Sequence, residues 1–415
     1  MLENRDLQYR DQTLYLENLA LADIARREGT PGYVYSRGTI LDRFEAYEKA
    51  FGDVPHKVCY AVKANSNLSI LSLLAAAGAG FDIVSGGELF RALKAGADPG
   101  TIIFSGVGKT AQEIDYALDR QIRSFNCESE PELALIDSLA ARRGVQTRVA
   151  LRVNPDVDAS THPYISTGLR DHKFGIDIAG AEAVYERARS LHHLMLEGVS
   201  CHIGSQITDI APMLEVFDKM IALVERLRSR GLPIRTLDLG GGLGVAYKPG
   251  DRAPSICEFI QTMCRRTAGH DLEILIEPGR SIVAEAGLLL TRVLYRKSNG
   301  DRQFIIVDAA MNDLIRPALY QSHHEIVPLR KTQGDSIIAD VVGPVCESGD
   351  FLARARAMPN VLPGDLLAVC TAGAYGFVAA SNYNSRPRPP EILVEGDRYR
   401  VIRKREQYDD LVRGE

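Results

Sequence analysis

HKVCYAVKANSNLSILSLLAAAGAGFDIVSGGELFRALKAGADPGTIIFSG, residues 56–106, decides the fold. Three short apolar runs, HKVCYAVKA (56–64), GFDIVS (80–85) and TIIFSG (101–106), alternate with two helical periodicities, NLSILSLLAAAG and GELFRALKAG. The helical stretches start near Asn or Ser and close on Gly, the asymmetry of helix caps. The runs are continuously apolar rather than alternating, as strands buried on both faces of a parallel sheet are. Further along the chain the same unit recurs, with strands at IRSFNC (122–127), RVALRVN (148–154), LEGVSCHIGS (196–205), TLDLGG (236–241) and EILIEPG (273–279). The helical stretches AQEIDYALDR, SEPELALIDSLAARRG and APMLEVFDKMIALVERLRSRG lie between them. Eight strand–helix units in about 220 residues predict a (β/α)8 barrel. An open doubly wound sheet would need a G-x-G-x-x-G after the first strand, which is absent, and gives the number eight no meaning.

After residue 280 the helical texture thins. GLLLTRVLYRKSNGDRQFIIVDAA reads as two strands around an Asn-Gly turn, and SIIADVVGP, DLLAVCTAG and PEILVEGDRYRVI add further strands. The organisation expected is a segment over 1–35, a barrel over 36–280 and a mostly β domain over 281–415. TLYLEN and GYVYS precede the barrel and are candidates to extend it. The 415 residues, 45% hydrophobic and 25% charged with net charge −5, exclude a disordered or fibrous chain and give no basic stripe for nucleic acid. The most apolar run, Leu68 to Phe81, is too short for a membrane span, and the polar start MLENRDLQYRDQ has no signal-peptide core. Seven scattered cysteines, without a CxxC, fit a reduced, cytoplasmic protein, and no cluster has zinc-site spacing, so no metal is expected.

Chemistry in such a barrel collects at the C-terminal strand ends. Those ends are Lys63; Asp82 and Ser85; Ser105; Asn126; Arg152 and Asn154; His202 and Ser205; Gly240, Gly241 and Gly242; and Glu277 and Arg280. A single polar strand end is an ordinary solvated terminus, but polar or glycine ends on all eight strands form a ring. Lys63, inside the apolar run YAVKAN, is either a lysine snorkelling past the rim or a desolvated amine available as a nucleophile. The glycines of LDLGGGLGV are either a turn or bare backbone that approaches a phosphate, and IEPGRS adds a second loop beside it. A lysine, a phosphate cradle and the Glu277 carboxylate together suggest pyridoxal phosphate: a Schiff-base lysine, loops for the phosphate, and an acid on the pyridine nitrogen. His202 stacks on such a ring or is a satisfied core histidine. Cys346, in the loop GPVCESGD, is a reactive thiol or a small packed residue, and the other six cysteines read as structural. His192–His193 and His323–His324 read as surface or loop residues, the second pair near a site segment.

YAVKAN, FDIVSGGEL, CHIGSQI, LDLGGGLGV, IEPGRSIV, VDAAMNDLIRPALY, GPVCESGD and AGAYGFVAASNYNSRPRP, in this order, resemble the bacterial diaminopimelate decarboxylases, within the alanine-racemase-like barrel enzymes that use pyridoxal 5'-phosphate. The resemblance spans roughly residues 10–405. It implies a pyridoxal-phosphate barrel with a C-terminal β domain that the first segment joins, and a homodimer with active sites shared across its interface. It implies decarboxylation of meso-2,6-diaminopimelate to L-lysine and CO2, the last step of lysine biosynthesis, with no nucleic acid or membrane partner. Lys63 matches the Schiff-base lysine, and Asp82, Arg152, His202, Ser205, Gly241 or Gly242, Glu277, Pro278, Gly279 and Arg280 the cofactor site. Arg280, Arg316, Tyr320, Glu347 and Tyr375 match substrate ligands, with Tyr375 also at the phosphate. Cys346 matches the proton donor, supplied by the partner subunit. The alternatives are a related decarboxylase for another basic amino acid or a carrier-bound substrate, a racemase, and a non-catalytic pyridoxal-phosphate barrel. The second arginine speaks against diamine-forming relatives, the length against the non-catalytic barrel, and Cys346-Glu347 against a racemase.

Overall fold

The structure is a computed structural model that describes residues 5–157, 173–332 and 334–415. The chain divides into two compact units. One comprises Phe44–Gly244 and Ala253–Gly279, and the other the residues up to Arg43, Val245–Arg252 and Arg280–Glu415.

The first unit is the barrel that the alternation predicts. Its strands are His56–Ala61, Gly80–Ile83, Ile102–Phe104, Ser124–Cys127, Thr147–Asn154, Leu194–Ser200, Thr236–Asp238 and Glu273–Ile276. Each pairs in parallel with the next, and Ile274–Ile276 pair with His56–Val58 to close the ring. Local chemistry explains the alternation. Asn67, Ser85, Ser129 and Ser255 cap their helices by accepting a backbone N–H one turn in, and Thr110 with Glu113 forms a reciprocal capping box. Gly144 ends the helix Glu130–Arg143 at φ +66°, a left-handed conformation that costs glycine nothing. Inside, Cys59, Ile103 and Leu275 form a fully buried cluster, so Cys59 packs as a small apolar side chain. Cys127, Cys201 and Cys370 are buried as expected, but Cys257 is exposed. The helix Ile256–Thr267 buries Ile256, Phe259, Ile260 and Met263, and position 257 falls on its outer side.

The second unit is mostly β. Its longest strand, Gly287–Asn299, pairs antiparallel with Arg302–Val307 across the Asn-Gly turn, with Leu366–Val369 and with Gly32–Ser36. Gly32–Ser36 also pairs in parallel with Glu391–Glu395. Thr13–Leu16 lies in a separate small sheet with Leu7–Arg10 and Leu19–Ala20. Neither early run therefore extends the barrel. The reason is burial: Leu7, Leu14, Leu16, Leu21 and Val34 share one apolar core with Leu288, Leu290, Leu329, Ile392 and Val394. Among the described residues no helix is long and apolar enough to cross a membrane.

Leu14 is fully buried in that core. Leu14→Ala is expected to lower stability by about 2–5 kcal/mol, the range for truncating a buried leucine. A fall in the denaturation midpoint at unchanged far-ultraviolet dichroism checks it.

Candidate active site

At the C-terminal ends of the barrel strands, polar side chains satisfy one another. Lys63 does not stay in the strand: the strand ends at Ala61 and a single turn, Val62–Ala64, carries the lysine past it. Its Nζ lies 2.8 Å from Asp82 Oδ2, and a third of the side chain (34%) remains exposed. The desolvated setting that the apolar run suggests is thus replaced by an ion pair in a partly open site. Asp82 is itself fully buried, and its other oxygen, Oδ1, has no hydrogen-bond partner among the described residues.

Across the ring, Asn126 Nδ2 donates to Asp238 Oδ2 at 2.8 Å, to Ser105 Oγ at 3.1 Å and to Glu277 Oε1 at 3.2 Å. Ser105 Oγ also donates to Glu277 Oε1, at 3.2 Å. Lys109, with its side chain wholly buried, holds this strand end by donating to the Asn126 carbonyl at 2.7 Å and pairing with Glu132 at 2.7 Å. Two buried carboxylates therefore share one amide. Burial first, then the Asp238 and Asp82 charges, push Glu277 well above the usual carboxylate range, and burial pushes Asp238 up as well. A pair of this kind retains a proton more readily than exposed acids do.

Arg152 Nη1 pairs with Glu128 Oε1 at 2.8 Å, while its buried Nη2 has no partner among the described residues. The guanidinium lies over the Phe174 ring at 4.6 Å, and the second Glu128 oxygen accepts the Gly175 N–H at 2.7 Å. His202 Nδ1 accepts the Gly241 N–H at 3.2 Å, and burial, then the Arg152 and Lys63 charges, hold the imidazole well below its usual pKa. The glycine loop and its neighbours pack closely. A Cβ on Gly241 would sit 2.3 Å from the Glu277 carbonyl, and one on Gly242, at φ +106°, 2.6 Å from the Gly204 carbonyl. The Gly242 carbonyl accepts the Ile207 N–H, which ties the Ser205 loop to the glycines, and the Pro278 carbonyl accepts from Ala61 N–H. At Gly279 a Cβ would meet Ala64 at 2.9 Å. Loop-against-loop packing thus demands the bare backbone that the motif offers a phosphate.

The β unit gathers a second cluster. Arg280 opens the short helix Arg280–Val283, is buried, and donates to the Tyr247 hydroxyl. Its guanidinium lies 4.9 Å from the Tyr375 ring centre and 5.8 Å from that of Tyr247. Arg316, also buried, lies 5.1 Å from the Tyr247 ring and 5.8 Å from the Tyr320 ring. Among the described residues no carboxylate comes within ion-pair distance of Arg316. Burial, with the neighbouring Arg280 acting in the same sense, pushes Arg316 below the usual arginine range. Cys346 is exposed and its backbone N–H donates to Asn384 Oδ1 at 2.8 Å, and Glu347 contacts Tyr383.

The sequence leaves several participants unmarked. Asp238 hides in TLDLGG, where one acid in an apolar run reads as a strand residue. Glu88 accepts the Val84 N–H at 2.7 Å and is pushed up to about 7, chiefly by burial. Tyr247 sits in a loop with no periodicity to mark it. His324, read with its neighbour as a surface or loop residue near a site segment, does lie in a loop there, but it is fully buried beside Arg316 and Tyr247 rather than at the surface. The helix Arg316–Tyr320 ends at Gln321 in a left-handed turn that redirects the chain inward.

Residues 37–284 match the family model described as pyridoxal-dependent decarboxylase, pyridoxal binding domain. The chain is 53% identical to the diaminopimelate decarboxylase of Pseudomonas aeruginosa, covering 98% of each, and 49% identical to that of Aquifex aeolicus, covering 99% and 97%. It superposes on the crystal structure of diaminopimelate decarboxylase from Helicobacter pylori complexed with L-lysine with a TM-score of 0.91 at 44% identity, covering 95% of this chain and 98% of that one.

The raised carboxylates have a measurable consequence in the cofactor-free protein. A carboxyl whose folded pKa exceeds its unfolded value binds protons preferentially in the folded state, so its stabilisation is lost as pH rises through that window. For Glu277 the window opens near its ordinary value of 4.5 and extends upward. Asp238→Asn removes one acid of the pair, so the decline of melting temperature above pH 5 should be shallower than in the parent, by up to about 1.4 kcal/mol per pH unit for one proton. Parallel pH–melting curves for the two proteins test it.

Proposed function

Because the chain belongs to the diaminopimelate decarboxylase family, we propose that the residues assembled above carry that family's reaction in it. The chain is a carboxy-lyase that uses pyridoxal phosphate and converts meso-2,6-diaminopimelate to L-lysine and CO2. The barrel residues fit the cofactor by their own chemistry. Arg152 Nη2 and Asp82 Oδ1 are buried polar atoms awaiting partners, and the Gly241 and Gly279 loops leave no room for a side chain. When bound, the cofactor supplies an electron sink for the carbon that loses CO2.

Lys63 would hold the cofactor through its amine, oriented by Asp82. The Gly241–Gly242 and Pro278–Arg280 backbones, with Ser205 and Tyr375, would hold the phosphate. Glu277, with its proton affinity raised and its carboxylate steadied by Asn126, Ser105 and Asp238, would keep the ring nitrogen protonated. His202, neutral and held by Gly241 N–H, would pack on the ring without adding charge. Arg280 and Arg316 would take the carboxylate of the distal L-centre, with Tyr320 beside them and Glu347 receiving its ammonium. Cys346 Sγ–H would deliver a proton to the carbon vacated by CO2.

One observation carries this reading: a buried guanidinium, Arg316, flanked by Tyr247 and Tyr320 and, among the described residues, without a carboxylate at ion-pair distance. Burying a cation without its anion is costly. The arrangement therefore suits a substrate that brings to this pocket a carboxylate other than the one it loses, which a substrate with only an amine at its distal end would not. We further infer a cytoplasmic homodimer with Cys346 and Glu347 serving the neighbouring subunit, a reading that the exposure of Cys346 supports.

Borohydride treatment of the holoenzyme is expected to fix the cofactor's mass on the peptide containing Lys63, and Lys63→Ala to abolish both label and turnover. A label on another lysine overturns the assignment. For the shared site, Lys63→Ala and Cys346→Ala should each be nearly inactive alone. After subunit exchange the mixture should recover roughly a quarter of parental activity, because about half of random dimers are mixed and each mixed dimer has one intact site. A mixture that stays inactive, with exchange verified by mass spectrometry, excludes donation across the interface.

A further inference from the structure

We infer that His324 is a positioning residue for substrate recognition: a neutral imidazole that accepts a hydrogen bond from Arg316, fixing the guanidinium without cancelling its charge. The inference rests on the reading of Arg316 as a carboxylate ligand given above.

The hydrogen-bond geometry by itself sets the protonation of His324. Nδ1 lies 2.9 Å from the Cys370 carbonyl, which only accepts, so Nδ1 carries the hydrogen. Arg316 Nε–H only donates, and it points at His324 Nε2 at 3.4 Å, so Nε2 presents a lone pair. Only the neutral Nδ1–H tautomer satisfies both contacts. The surroundings agree, since burial first and then the Arg316 charge push the imidazole down to about 3. The ring is held on its other side by the Tyr247 edge, with ring centres 5.3 Å apart and planes at 79°.

The consequence for Arg316 is directional. Nε donates to His324, and Nη2 donates to Ser322 Oγ at 3.2 Å. The side-on edge of the fork is thereby occupied by two neutral acceptors. The end-on edge, formed by Nη1 and the remaining N–H of Nη2, is left for a carboxylate, which two parallel N–H groups bind in bidentate fashion. Alternatives at position 324 would each fail differently. An acid would supply the counter-ion internally and compete with the substrate. A charged histidine would add a cation to Arg280 and Arg316. An aliphatic residue would leave a buried N–H without an acceptor and release the fork.

The test uses the holoenzyme with His324→Glu, His324→Gln and Arg316→Met. Readouts are KM and kcat for meso-diaminopimelate, inhibition by L-lysine, and melting temperature. His324→Glu should raise KM and weaken lysine inhibition about tenfold or more, since hydrogen bonds to charged groups are at stake. Its kcat should stay within about threefold and its melting temperature should not fall, because the introduced acid pairs with Arg316. His324→Gln, a neutral acceptor, should stay within about threefold of the parent in KM. If His324→Glu leaves KM and lysine inhibition unchanged while Arg316→Met raises KM and weakens lysine inhibition, His324 is mere packing and the inference falls. If Arg316→Met itself leaves KM unchanged, the substrate reading of Arg316 fails first. Should His324→Glu not fold, His324→Leu is compared with His324→Gln: a KM raised in the first and restored in the second supports positioning, and equal values overturn it.

Discussion

Closing eight parallel strands into a ring forces every strand's C-terminal end to one mouth. Side chains there cannot be apolar without sealing the site, and they cannot be charged without finding partners. The protein resolves this by pairing. Lys63 meets Asp82, Arg152 meets Glu128, and Asn126 distributes its amide between Asp238, Glu277 and Ser105. Even the backbone of Asn126 is held from behind by the buried Lys109. Among the described residues, Asp82 Oδ1 and Arg152 Nη2 remain buried without a hydrogen-bond partner.

The arginine cluster of the β unit follows the opposite rule. Where the barrel mouth cancels charge internally, Arg316 meets neutral groups that accept hydrogen bonds or offer a π face, Tyr247, Tyr320, Ser322 and His324, and the neighbouring Arg280 adds a charge of the same sign. Neutral partners orient a cation while preserving its need for an anion. Balanced charge in one place and an unbalanced cation in another are two answers to the same desolvation penalty.

How much of this the sequence reveals depends on whether a residue's role is local. Lys63 and Glu277 stand out because each interrupts or ends an apolar run, and the glycines of LDLGGGLGV because backbone without side chains is rare after a strand. Asp238 sits two residues before Gly240 and does not stand out, since a single acid near a strand end has many meanings until Asn126, remote in the chain, is placed beside it. His324 reads as one of a surface or loop pair because nothing local says that the chain beyond the left-handed turn at Gln321 buries it. The runs TLYLEN and GYVYS are legible as strands, but not the pairing of GYVYS with residues near 290 and 392, nor the placing of TLYLEN in a small sheet with Leu7–Arg10 and Leu19–Ala20.

The amino-acid sequence by itself therefore determined the elements, their order, the count of eight and the ring of polar strand ends, because hydrophobic period and cap chemistry act over a few residues. Only the tertiary structure decided which strands the first segment joins, which carboxylates share an amide, and which imidazole meets Arg316. The first two depend on contacts between residues far apart in the chain, and no local pattern encodes a hydrogen bond whose two ends are more than a hundred residues apart, as Asn126 and Asp238 are; the third joins residues only eight apart and depends on burial, with the Cys370 carbonyl holding the imidazole inside.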